Sequence, residues 1–142
     1  AAHMDVIAPL PVFNLYNYDW PIYTSYGPYP PAKFVHGHHG RFGEALNSAV
    51  SPGVVISGAR VNGSVISPDV HVHSYTEIDA SVILDGVQIG RHCRISKAII
   101  DKNVTIPDGT SIGYDKAKDV ARGFSVTESG ITVVGKGQVV TP

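Results

Sequence analysis

The residues of this chain whose types could hold a metal or carry a nucleophilic step are seven histidines and one cysteine. His36, His38 and His39 crowd into four positions, and neutral imidazole is a common ligand for zinc and copper. No cysteine or carboxylate pair stands at a ligand spacing beside them, so no metal site is predicted. The interleaved glycines Gly37, Gly40 and Gly43 make the stretch from Val35 to Asn47 read as a loop. Nor is it a phosphate loop or dinucleotide fingerprint, because neither a preceding strand nor a following helix is legible. His71, His73 and His92 could each serve as a general base if a substrate groove lay beside them. Cys93 falls at an apolar position of a repeat and reads as a small packing residue rather than a nucleophile.

The elements that must position these groups come from one periodic stretch. Ile66, Val72, Ile78, Ile83, Ile89, Ile95, Ile100, Ile106 and Ile112 follow one another at spacings of six, six and five, twice over plus the opening pair of the next cycle. The small or β-branched partner of each stop is read four positions later: Val70, Thr76, Val82, Val87, Cys93, Ile99, Val104 and Thr110. A group of five or six residues has room for one short strand and one corner, and no room for a crossover helix. Three groups per seventeen-residue period therefore predict a triangular coil in which residues one period apart stack and pair in parallel. Gly, Asp, Ser and Pro at Asp79, Gly86, Gly90, Asp101, Pro107 and Gly109 suit its corners.

Around this array the chain divides into an extended arm and linker over 1–47, a solenoid of about four coils over 48–113, and a small cap over 114–142. The arm carries six prolines from Pro9 to Pro31 and eight aromatic rings from Phe13 to Phe34, which excludes both a helix interior and a solvated linker. Its rings must cover the solenoid's side, fill an interface with another domain, or meet another subunit. The first coil is imperfect: Val50, Ile56 and Val61 continue the inward series, but Arg60 falls where a small residue is expected. In the cap, Asp115 to Arg122 reads as a short helix capped by Asp115, followed by strands at Ser125 to Thr127, Ile131 to Val134 and Gln138 to Val140.

Net charge is -1 and charged residues make up 16%, which argues against a nucleic-acid stripe or an electrostatic membrane anchor. No apolar run is long enough to span a bilayer, and no signal pattern opens the chain. With a single cysteine, these features point to a soluble cytoplasmic protein.

The hexapeptide spacing resembles the left-handed parallel β-helix, an exception to the usual right-handed crossover. Asn14-Leu15-Tyr16, Trp20-Pro21-Ile22, Pro30-Pro31-Ala32-Lys33-Phe34, Ala98-Ile99-Ile100-Asp101-Lys102-Asn103 and Ser129-Gly130-Ile131 are similar, in order, to the carboxy-terminal part of the ADP-glucose pyrophosphorylase (glucose-1-phosphate adenylyltransferase) family. The resemblance implies a nucleotidyltransferase of glycogen or starch synthesis that joins ATP and glucose 1-phosphate into ADP-glucose and pyrophosphate. It also implies dependence on magnesium, a tetrameric assembly, and a separate amino-terminal catalytic domain whose nucleotide loop and metal-binding aspartates are not in this sequence. This chain would be the regulatory and assembly part, inactive alone and holding no cofactor. The resemblance further places Lys102 and Lys136 at positions that contact an anionic glycolytic effector, with Lys33 a weaker candidate. Glu128 stands where plant-type members carry an effector-binding lysine, so the effector's identity stays open.

Two other readings compete. Many left-handed β-helices are acyltransferases that use acyl-CoA and a histidine base, and His71, His73 or His92 would have to serve. All three fall at outward or corner positions, and four coils give a short groove. A pure assembly module would explain the aromatic arm without any ligand.

Overall fold

The computed structural model describes residues 2–21, 25 and 27–142. Ile22, and Tyr23 and Tyr26 among the eight aromatic rings counted above, lie outside the described residues. Two- and three-residue strands separated by sharp turns wind into a solenoid with three flat faces. The first face stacks Lys33–Val35, Val55–Ser57, His71–Val72, Gln88–Ile89 and Thr105–Ile106. The second stacks Glu44–Leu46, Arg60–Asn62, Glu77–Asp79, Arg94–Ser96 and Ser111–Ile112. The third stacks Ala49–Val50, Val65–Ile66, Val82–Ile83, Ala98–Ile100 and Thr132–Val134, with Ser125–Val126 added antiparallel at its edge. From Lys33 to Thr105, along one face, the path completes about four turns. The chain is thus an all-β parallel helix of the hexapeptide, left-handed class.

Register follows the predicted period. Ile78 pairs with Ile95 and Ile95 with Ile112, while Val65 pairs with Val82 and Val82 with Ile99. All nine stops from Ile66 to Ile112 are buried, and each isoleucine among them stabilises the fold by roughly 1.5 to 3 kcal/mol through area removed from water.

The second inward residue of each group differs from expectation on one face. It lies two positions before each stop, where strand alternation puts it on the same side. On the first and second faces this coincides with the expected Val70, Thr76, Val87, Cys93, Val104 and Thr110. On the third face, where the sub-period is five, the inward residues are Ser64, Ser81 and Ala98 rather than Val82 and Ile99, which strand alternation sets on the opposite side, outside the core cluster although Val82 is still buried, at 7% exposure. The serines have a reason to be there. Ser48 Oγ accepts the Ser64 N–H at 3.0 Å, Ser64 Oγ accepts that of Ser81 at 3.0 Å, and Ser81 Oγ accepts that of Ala98 at 3.1 Å. Each hydroxyl thus takes an amide that the one-residue corners at Gly63, Ala80 and Lys97 leave without a ladder partner. Asp79, expected at that corner, is the last residue of its strand. The misfit at Arg60 resolves in the same way: Ala59 is the small inward residue and Arg60 points out.

The parallel sheets also recruit segments on either side of 48–113. Lys33–Val35 and Glu44–Leu46 form the first rung, so the stretch read as a loop carries one of its strands. After Ser111–Ile112 the chain leaves the coil, forms the helix Lys116–Ala121 capped by Asp115, and returns as Thr132–Val134, which pairs with Ala98–Ile100. Thr132 is thirty-four positions from Ala98, two whole periods, so the excursion adds one period and preserves register. The excursion is held by Asp119 and Arg122. Asp119 Oδ2 accepts the Gly113 N–H at 2.8 Å and the Thr132 hydroxyl at 3.0 Å, and its other oxygen lies 3.6 Å from Arg122 Nη2. Gly113 sits at φ 84, and any Cβ there would overlap the Ser96 carbonyl oxygen. The segment from Gln138 to Val140, expected as a strand, is irregular.

The arm opens with a short helix, Ala2–Asp5, and runs to the first rung. Tyr16, Tyr18 and Trp20 are exposed at 72%, 86% and 83%, so they do not take the solenoid's own side as cover. Leu15, Tyr16 and Tyr18 instead border a groove that Phe34, Ala45, Ala49 and Val50 continue at the open first rung. Among the described residues no helix is long and apolar enough to cross a membrane.

Candidate functional site

The corner between the third and first faces is turned at every rung by a residue of positive φ: Gly53, Asp69, Gly86, Asn103 and Gly137. The residue before each of these sits at the same place in the corner, so Pro52, Pro68, Asp85, Lys102 and Lys136 form a column. Stacking at two periods brings Lys136 onto the rung next to Lys102. Asp101 joins them directly: its Oδ1 accepts the Lys102 N–H at 2.7 Å and its Oδ2 accepts the Lys136 N–H at 3.2 Å. The Asp101 N–H donates to Val134 at 2.9 Å, which fixes the returning strand beside it.

Below, Lys102 Nζ lies 3.5 Å from Asp85 Oδ2, with both side chains about half exposed. An exposed pair of this kind is held weakly, so Lys102 is free to exchange Asp85 for another anion. Lys136 is exposed one rung above. The corner can therefore present two ammonium groups to one multiply charged anion. Its opposing acids, Asp85 and Asp101, limit affinity for a singly charged ligand.

Lys33 does not join this corner. It begins the edge strand of the first face, four strands from Thr105, or about 19 Å at the usual strand spacing. Glu128 is exposed in the turn joining Ser125–Val126 to Thr132–Val134.

The histidines are dispersed. His36 Nδ1 accepts the Gly43 N–H at 3.3 Å and its ring packs edge-on to Phe42. His71 and His73 stack in parallel at 5.0 Å on the outside of the first face, and His92 stacks on Tyr75 at 4.9 Å. Partial burial, then the neighbouring His73, hold His71 below the ordinary imidazole range against the opposing pull of Asp69. Among the described residues no group of three or more His, Cys, Asp or Glu side chains is placed to hold a metal ion. Cys93 is wholly buried, and burial pushes its thiol up, so it remains a protonated packing residue.

Three features have no local signature in the sequence: the Asp101 carboxylate that ties the two lysine backbones, the Asp119–Arg122 pair at the short helix, and a charged column of Glu44, Arg60, Glu77 and Arg94 on successive rungs of the second face. That column could have been found by applying the seventeen-residue period to the charged residues.

A family profile described as "GlmU-like, C-terminal hexapeptide" matches residues 30–134. The chain is 55% identical over 139 residues to a glucose-1-phosphate adenylyltransferase of Bifidobacterium longum (strain DJO10A), covering 98% of this chain and 34% of that protein. It is 58% identical to the enzyme of that name from Arthrobacter sp. (strain FB24), covering 98% of this chain and 30% of the relative. The protein of the same name from Koribacter versatilis (strain Ellin345) is 52% identical over 133 residues. The chain spans about a third of the length of the curated relatives it matches. A three-faced solenoid over the matched residues, with a seventeen-residue register between its regular rungs, completes the assignment: the chain belongs to the GlmU-like, C-terminal hexapeptide family.

Proposed function

We propose that the chain is the regulatory and assembly part of a glucose-1-phosphate adenylyltransferase, which makes ADP-glucose and pyrophosphate from ATP and glucose 1-phosphate in the cytoplasm. The observation that carries this reading is 55% identity across 98% of the chain to a protein of that name, confined to a third of its length. On this reading the chemistry, with its magnesium and ATP, belongs to a catalytic domain outside this sequence, and the working enzyme is a tetramer. The solenoid is a rigid prop for both roles, since its buried columns leave the outer faces free to contact a catalytic domain, an effector or another subunit.

The effector half of the proposal rests on Lys102 and Lys136. Their backbones share the Asp101 carboxylate and their ammonium groups stand on adjacent rungs, an arrangement suited to a phosphorylated or dicarboxylic metabolite. In an adenylyltransferase carrying this chain, Lys102→Ala and Lys136→Ala are each expected to raise the effector concentration for half-activation about ten-fold, with the unstimulated rate unchanged. Activation curves unchanged in both variants would return the lysines to ordinary surface.

A further inference from the structure

The second face carries a column of alternating charge that neither the core nor the effector corner uses. Glu44 pairs in register with Arg60, Arg60 with Glu77, and Glu77 with Arg94. Within the chain the charges engage two by two, Arg60 to Glu44 at 2.6 Å and Arg94 to Glu77 at 3.9 Å. Three of the four side chains are more than half exposed, so most of their hydrogen-bonding capacity faces outward. A shallow depression over Gly58, lined by Phe42, Arg60, Tyr75 and Glu77, lies beside the column. Phe42, Leu46 and Tyr75 are exposed on this face at 56%, 50% and 44%.

The order of signs has a symmetry. Read upward it is minus, plus, minus, plus; read downward every sign is inverted. We infer that the second face docks on the second face of another copy of this chain, about a two-fold axis that lies in the interface, parallel to the strands and between the Arg60 and Glu77 rungs. Such an axis reverses rung order while keeping positions along the strands. Glu44 then meets the partner copy's arginine of the Glu77–Arg94 pair, and Arg60 meets the partner copy's glutamate of the same pair. Each charge is surrounded by opposite charges both within its own column and across the interface.

Two neighbouring columns obey the same operation. Asn62, which donates to Asp79 at 2.9 Å within the chain, faces the aspartate of the other copy. In the corner column Phe42, Gly58, Tyr75, His92, the ring of Tyr75 meets the Gly58 rung of the other copy, where the Arg41 side chain packs over the glycine and offers its guanidinium plane to the ring. A partner of unrelated sequence has no need of this inversion, whereas an isologous contact requires it. Charge complementarity of this kind sets orientation and excludes mismatched partners more than it adds affinity.

Strands about 4.8 Å apart over five rungs make a face about 24 Å by roughly 18 Å, which puts the buried total near the weak end of specific interfaces. The association is therefore expected at about 100 μM and above. The inference deepens the assembly half of the proposed function and rests on it, while the effector half is independent.

Sedimentation velocity of the 142-residue chain over a concentration series tests it. The expected result is a monomer–dimer equilibrium that weakens at least ten-fold in Arg60→Glu and on raising salt from about 0.02 to 0.5 M. Tyr75→Gly, at a residue of φ 62 that glycine accepts without strain, is expected to weaken dimerisation about five-fold with the melting temperature held. The quadruple variant Glu44→Arg, Arg60→Glu, Glu77→Arg, Arg94→Glu keeps the alternation. It should self-associate like the original chain and not mix with it. A chain monomeric throughout the series, or a reversed ladder that mixes freely with the original, overturns the inference. A dimer untouched by every ladder variant overturns this face while leaving assembly through another surface in place.

Discussion

Inside the solenoid, Ile78, Ile95 and Ile112 stand above one another, as do Val70, Val87 and Val104, and in these columns translation by one rung changes nothing. On the outside the same translation replaces Glu44 with Arg60, Pro68 with Asp85, and Asp85 with Lys102. Such columns have one requirement at every level, an aliphatic side chain that fills the space between the rungs above and below. The exterior has no such common requirement, so each rung can carry a different instruction. In a repeat protein of this kind, sameness between rungs encodes architecture and difference between rungs encodes recognition.

Substitutions on the two sides should therefore differ in kind as well as size. The largest effect is expected from Ile89→Asp, which buries an unpaired carboxyl at a position with no exposure; a cost above about 4 kcal/mol should abolish the cooperative melt followed by circular dichroism. A variant that melts like the original chain would break the equivalence of the inward rungs. Next comes Asp119→Ala, which leaves Arg122 buried without its partner. A loss of about 3 to 5 kcal/mol, confined to the last rung and its helix, should appear as hydrogen exchange over 113–134 with protection of 66–106 retained. Uniform loss across all rungs would show that the excursion is not a separate unit.

The smallest effect belongs to His71 on the outer surface. Folding holds its imidazole below the ordinary value of about 6.5, so the folded chain binds fewer protons than the unfolded chain between the two values. Stability is then complete above pH ~6.5, falls as pH drops below it, and levels off under the folded value. His71→Gln should flatten that acid slope and leave stability at pH 8 unchanged; parallel profiles for the two chains would remove His71 as its source.

The inward series and the triangular coil were legible because hydrophobic burial imposes a periodic demand that the chain must display. What failed did so where a second demand competed. On the third face the corner is one residue shorter, and the orphaned amides there favour Ser64 and Ser81 over aliphatics, so counting forward from each isoleucine selected Val82 and Ile99. The strand Glu44–Leu46 was hidden because it follows directly on a histidine- and glycine-rich stretch, and its apolar content is too slight to mark it before its partner Arg60–Asn62 appears a coil later. At the candidate corner, the lysines came from family likeness alone. Their proximity depends on an excursion of one whole period, which no local pattern announces.

That excursion also sets the order in which the molecule can close. Every other rung joins residues sixteen or seventeen positions apart on the third face, whereas Thr132–Val134 must find Ala98–Ile100 across twice that length. Doubling a loop adds only about 0.6 kcal/mol of closure entropy, so the detour costs little at equilibrium. Kinetically it makes this rung the least local contact of its sheet, to be completed after the regular coils have formed and first to open when they breathe. Lys136 rides on that late rung and Lys102 on the early one beneath it, so an anion held by both would act as a clasp across the last seam to fold.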